Sequence, residues 1–168
     1  MSSIVLRISD WVFDVDVAAN MEFSAAQATE HCDCGYCRNF YGSIDGSCPN
    51  LRPFMAQFGI NIEGPDELCP FEPTIYEVSY IVNGSILHSG EYTFRIDDIP
   101  VTVKSSSDAD MDTERPEPYF VFVIGLMELP WILDEPMDEV VSPANEEPFL
   151  QRMANKLMAR MEDTEIYS

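Results

Sequence analysis

The run from Tyr119 to Leu129 constrains the fold more than any other part of this chain. Up to Gly125 it reads Tyr-Phe-Val-Phe-Val-Ile, aromatic or β-branched at every position, with no polar side chain to turn toward water. An amphipathic surface element would alternate; this run instead suits a strand buried on both faces, which requires strands at its sides and cover above and below. We therefore expect it at the centre of a sheet. Its neighbours follow from periodicity: Tyr76, Val78, Tyr80 and Val82 alternate from Thr74 up to Asn83-Gly84, after which Ile86, Leu87 and His88 resume. Asn-Gly between alternating segments predicts a type I′ hairpin there, because both residues tolerate positive φ. Further strands over Tyr92 to Ile96 and Ile99 to Lys104 would complete an antiparallel meander.

The first half mixes strands with helices. Ile4, Leu6 and Ile8 alternate, then Trp11, Phe13, Val15 and Val17, with Ser9-Asp10 placed to turn between two strands. Ala18 to Glu30 is rich in Ala, Met and Glu without a breaker and predicts a helix. A shorter helix follows Pro49-Asn50-Leu51, with Phe54, Met55 and Phe58 as its buried stripe and Gly59 as its end. Gly64-Pro65, Pro70 and Pro73 predict an irregular connection, and 105–118 an exposed loop. Phe149 to Met161 predicts a C-terminal helix, with Leu150, Met153, Leu157 and Met161 on one stripe and Arg152, Lys156 and Arg160 on another. The fold class is thus α+β: a mainly antiparallel sheet, a meander able to fold over into a sandwich or half-barrel, with two or three helices in the first half and one at the C-terminus. At 168 residues, one domain over 1–162 with a frayed tail at 163–168 is the expectation.

Charge narrows the partners. Thirty Asp and Glu against nine Lys and Arg give a formal net charge of −21. That field repels nucleic-acid phosphate and anionic membranes and favours a cation or a basic protein, as an immunity-type or inhibitor protein would engage. The alternative is that the charge serves solubility alone. Met1 to Asp10 is too short and polar for a signal peptide and no apolar run approaches spanning length, so a cytoplasmic location is expected. A homodimer through the C-terminal helix, its basic strip meeting the acidic 130–148 segment of another copy, is a further expectation.

The sharpest chemical feature is His31-Cys32-Asp33-Cys34-Gly35-Tyr36-Cys37. It places four soft or borderline metal donors in one short stretch, and Cys34-x-x-Cys37 has zinc-knuckle spacing. A complete zinc site usually recruits a second pair, for which Cys48, Cys69 and His88 are the distant candidates, none in a second C-x-x-C. Two other readings compete: Cys34, Cys37 and Tyr41 at helical spacing on the apolar face of a helix running into Asn39-Phe40-Tyr41, with cysteine as a small hydrophobe, or a thiol redox pair. The redox reading lacks the buried strand that precedes a thioredoxin-type motif. Asp14-Val15-Asp16 resembles a magnesium-holding strand end, yet alternate acids on a strand also make a solvated face. Asp108-Ala109-Asp110-Met111-Asp112 imitates an EF-hand opening but has Thr113 where glycine is needed and Tyr119 where a bidentate Glu belongs. Phosphate-binding glycine loops, G-x-S-x-G and H-E-x-x-H are absent from the sequence, and no catalytic residue is assigned.

Trp11-x-Phe13-Asp14-Val15-Asp16, Cys32-x-Cys34-x-Tyr36-Cys37-Arg38-Asn39-Phe40-Tyr41, Phe58-Gly59-Ile60 and Pro65-x-Glu67-Leu68 together resemble a family of small uncharacterised bacterial proteins. The resemblance covers about the first half of the chain. It implies a bacterial cytosolic origin and, since that family has no established activity, no catalytic residue. The functional expectation is a non-enzymatic acidic protein-binding domain, with a zinc-stabilised domain using the 31–37 segment as the alternative and a thiol- or metal-dependent enzyme as the second.

Overall fold

The computed structural model describes residues 3–135 except 31, 73, 92, 110 and 112. The expected C-terminal helix with its basic strip, the 163–168 tail and His31 lie outside the described residues. The chain opens with β1 (Ser3–Ile8) and β2 (Trp11–Asp16), a hairpin in which Ile8 faces Trp11 and Ser9 takes a positive φ of 56° in the turn. β2 runs straight into α1 (Val17–Thr29), whose first turn is capped by the Asp16 carboxylate accepting from the Ala19 N–H at 3.1 Å. Then come α2 (Gly35–Ser47), α3 (Leu51–Ala56), β3 (Glu67–Glu72), β4 (Ile75–His88), β5 (Phe94–Ile96), β6 (Ile99–Ser105), α4 (Ser106–Ala109) and β7 (Tyr119–Glu128). The seven strands make one open antiparallel sheet ordered β1-β2-β4-β7-β6-β5, with β3 also paired to β4. The α+β class is as the sequence implies, and the sheet does not close.

Two local expectations give way to tertiary structure. Asn83-Gly84 is not a turn: β4 runs through it as a single strand of 14 residues. Asn83 is held by partners far along the chain, its N–H donating to Asn20 Oδ1 at 2.7 Å, its Nδ2 to Pro116 O at 2.9 Å, and its Oδ1 accepting from Arg115 Nη1 at 2.8 Å. Gly84 then lets β4 change neighbours. Pairing with β7 ends at Asn83 and pairing with β2 begins at Gly84, where φ is +149° and an added Cβ would lie 2.2 Å from Asp14 O. A turn with positive φ at two successive residues falls instead at Asp97 (51°) and Asp98 (67°) between β5 and β6, so an Asp-Asp pair takes the left-handed conformation expected of Asn-Gly. The second miss is β3, hidden by Pro70 and Pro73. A strand paired on one side tolerates a proline that a central strand would not, and a register shift falls between Pro70 and Glu72.

β7 lies inside the sheet, between β4 and β6, rather than following the meander in order. Both of its faces are covered. On one face Phe120 and Phe122 join Phe13, Phe58, Tyr76 and Tyr80, all at most 1% exposed, under the helices. Phe13 stacks on Phe120 with centroids 4.7 Å apart, and Phe58 meets Phe122 edge-on at 5.0 Å. On the opposite face Ile81, Val121 and Val123 pack beneath Ala109, Met111 and Tyr119, so 105–118 is partly a lid with α4 in it rather than a free loop.

α2 presents Tyr36, Cys37, Phe40 and Ile44 to the core, one stripe at helical spacing. Polar contacts fix its rotation on the sheet. The Tyr76 hydroxyl accepts from Asn39 Nδ2 at 3.2 Å and donates to Tyr36 O at 3.2 Å. Asn39 is fully buried and also ties down the segment after β7: its Nδ2 donates to Pro130 O at 3.0 Å, and its Oδ1 accepts from the Ile132 N–H at 2.8 Å. Trp131 completes the strap edge-on to Tyr36, with centroids 5.7 Å apart. The N-terminus of α2 is thereby a fixed platform. Among the described residues no helix is long and apolar enough to cross a membrane.

Candidate metal centre

Three of the four sequence-nominated donors lie within the described residues, and they converge. The Sγ atoms of Cys32, Cys34 and Cys37 all lie within 4.8 Å of one another. Local helix geometry produces this: Cys34 is the N-cap of α2, with extended backbone at φ −73° and ψ 165°, and its Sγ accepts the Cys37 N–H at 3.5 Å. A cap side chain leans over the first turn, and the residue three positions on points back toward it. Cys34 and Cys37 therefore meet by helix entry alone. Cys32 is drawn in by side chains from the next turns: Arg38 Nε donates to Asp33 O at 3.0 Å, and the Tyr41 hydroxyl donates to Cys32 O at 3.4 Å.

Burial divides the three. Cys32 and Cys34 are exposed, while Cys37 is 8% exposed on the helix face. The Cys32 thiol is held below its ordinary pKa, first by the Cys34 backbone N–H and then by the Cys34 and Cys37 thiols. Burial, reinforced by the neighbouring thiols, drives Cys37 upward and keeps its proton on when no cation is present. Burial also raises the Tyr41 phenol beside them.

This donor set suits a thiophilic ion. Four sulfurs around zinc at about 2.3 Å would stand ~3.8 Å apart, so thiols already within 4.8 Å need only side-chain adjustment to share one ion. The Cys32/Cys34/Cys37 cluster could hold a metal ion, and the arrangement lies open on the Cys32 and Cys34 side.

The distant candidates do not join. Cys48 sits at the other end of α2, fully buried, with its Sγ 3.6 Å from Ile96 O and its thiol pushed up to about 12 by burial. Cys69 is on β3, its Sγ donating to Glu67 Oε1 at 3.3 Å, and His88 ends β4 opposite Val12 of β2. Asp16 of the D-x-D spends its carboxylate on capping α1. Asp14 and Asp16 do border a cleft of about 250 Å³ with Asn83, Ser85 and Glu117, smaller than the ~300 Å³ at which ligand pockets begin. Asp108 accepts from Ser105 Oγ at 3.0 Å; Asp110 and Asp112 lie outside the described residues. What the sequence did not reveal is the role of Arg38 and Tyr41, which hold the 32–34 loop. Their only signal was position, Arg38 next to the last cysteine of the segment and Tyr41 one turn beyond it.

No protein-family model matches the chain, and neither a curated protein nor a solved structure matches it.

Proposed function

We propose that this chain is a zinc-stabilised domain in which Cys32, Cys34 and Cys37 bind one ion at the N-terminus of α2, with His31 the sequence-adjacent candidate for the fourth position. One observation carries the reading: three thiol sulfurs gathered within 4.8 Å on a rigidly docked helix end. Thiolates select zinc and similar soft ions over magnesium or calcium, and zinc is satisfied by sulfur and imidazole together. The ion would tie the 32–34 loop to α2 and withdraw the proton from buried Cys37, since coordination requires the thiolate.

The test is metal content by mass spectrometry on protein purified without chelator or affinity metal, with a free-thiol count before and after chelation. One equivalent of zinc, with three thiols unmasked by chelator, is the expected result. Reduced protein that carries no metal and takes up none overturns it.

The net charge favours a second reading, a domain that docks on a basic protein. Under that reading an immobilised chain retains basic proteins in a defined stoichiometry, and retention weakens as salt screens the field. Retention of none removes it.

A further inference from the structure

Cys34 and Cys37 differ from Cys32 in one respect that matters for sulfur chemistry: they share the first turn of a helix. Cys34 is an exposed cap whose Sγ sits over the Cys37 N–H at 3.5 Å, and Cys37 lies behind it, 8% exposed. A disulfide needs its β-carbons about 3.8 Å apart and its sulfurs at about 2.05 Å. Cap and third helical residue stand on one side of the turn, and their sulfurs already lie within 4.8 Å of one another. The outer sulfur is open to an incoming reagent and the inner one is shielded, which sets an order of events.

We propose that Cys34 and Cys37 are a dithiol pair which low-molecular-weight disulfides oxidise, and that the metal ion is held only while the pair is reduced. The proposal rests on the metal reading given above. In the first step the Cys34 thiolate attacks one sulfur of the small disulfide; the Cys34–S bond forms, the reagent's S–S bond breaks, and one small thiolate leaves. In the second, the Cys37 thiolate attacks Cys34 Sγ, expels the second small thiolate and closes the Cys34–Cys37 disulfide. Two electrons pass from the two cysteine sulfurs to the reagent, the zinc ion keeps its charge, and the departing thiolates take protons from water. Cys32 is then left as the one thiolate of the cluster, too few donors to retain zinc. A small dithiol reverses both steps and restores the site.

The experiment treats the zinc-loaded full chain with glutathione disulfide, follows released zinc with a chromogenic chelator and maps sulfur linkages by mass spectrometry. The expected result is one zinc released per Cys34–Cys37 disulfide, with zinc rebinding after dithiothreitol. Cys37→Ser stops at a glutathione adduct on Cys34, and Cys32→Ser still closes the disulfide. Zinc that stays bound with all thiols reduced overturns the proposal and leaves the metal reading intact. A disulfide mapped to Cys32 also overturns it, and that map, made on the unsubstituted chain, does not depend on any variant folding. Reduced protein that binds no zinc overturns the metal reading and the release together, a result read before glutathione disulfide is added.

Discussion

The two ends of α2 carry the same residue type in opposite conditions. At the N-terminus Cys32 and Cys34 lie at the surface with Cys37 behind them, their sulfurs gathered within 4.8 Å of one another at the first turn of the helix. At the C-terminus Cys48 is fully buried in the aromatic core, its thiol next to a carbonyl and driven up to about 12. One end offers ligands and a nucleophile. The other uses sulfur as a small apolar atom. Residue identity therefore says little about a cysteine's chemistry until its place on the helix and its depth are known.

Substitutions along α2 sharpen that contrast, beginning with the middle of its buried face. Phe40→Ala, fully buried against Tyr76, should cost about 3–5 kcal/mol in urea unfolding. A loss under 1 kcal/mol would mean that α2 is not anchored through its apolar stripe. Next comes the ion: with free zinc ~100-fold above its dissociation constant, the fold should gain about 2.7 kcal/mol over chelator-treated protein. Cys34→Ser should erase that gain and Cys48→Ala should not; equal effects would break the comparison. Asn39→Ala strands the polar groups of Tyr76, Pro130 and Ile132 and should cost about 1–3 kcal/mol in the same urea assay.

The pH dependence separates the ends as well. Cys32, held below the ordinary thiol value of 9.0, should be alkylated by iodoacetamide at lower pH than a free thiol, and Cys48 should stay unmodified. The folded pKa of Cys48 is raised, so its contribution to stability is full below pH 9 and falls away as pH rises toward 12, because the unfolded thiol ionises first. Cys48→Ala should flatten that part of the alkaline stability curve; an unchanged slope would show that the thiol is not buried. The smallest effect expected is Cys34→Ser in metal-free protein, within about 0.5 kcal/mol by urea unfolding, since serine serves as an N-cap.

The sequence by itself determined the α+β class, the strand-rich alternation of the first and second halves, and the central place of β7. These follow from local periodicity and from a run too apolar to face water on either side. It also marked the 31–37 segment, by its density of thiol and imidazole donors and the knuckle spacing of Cys34-x-x-Cys37; that Cys34 caps a helix, which brings the two sulfurs together, came from the structure. Only the tertiary structure decided that Asn83-Gly84 passes straight through β4, since the deciding partners, Asn20, Arg115 and Asp14, come from other elements. It likewise decided that Pro70 sits in a strand, that Cys32 joins Cys34 and Cys37 through the reach of Arg38 and Tyr41, and that Cys48 does not. Local pattern fixes what a segment prefers; which preference survives is set by long-range contacts, whose partners no local window of sequence contains.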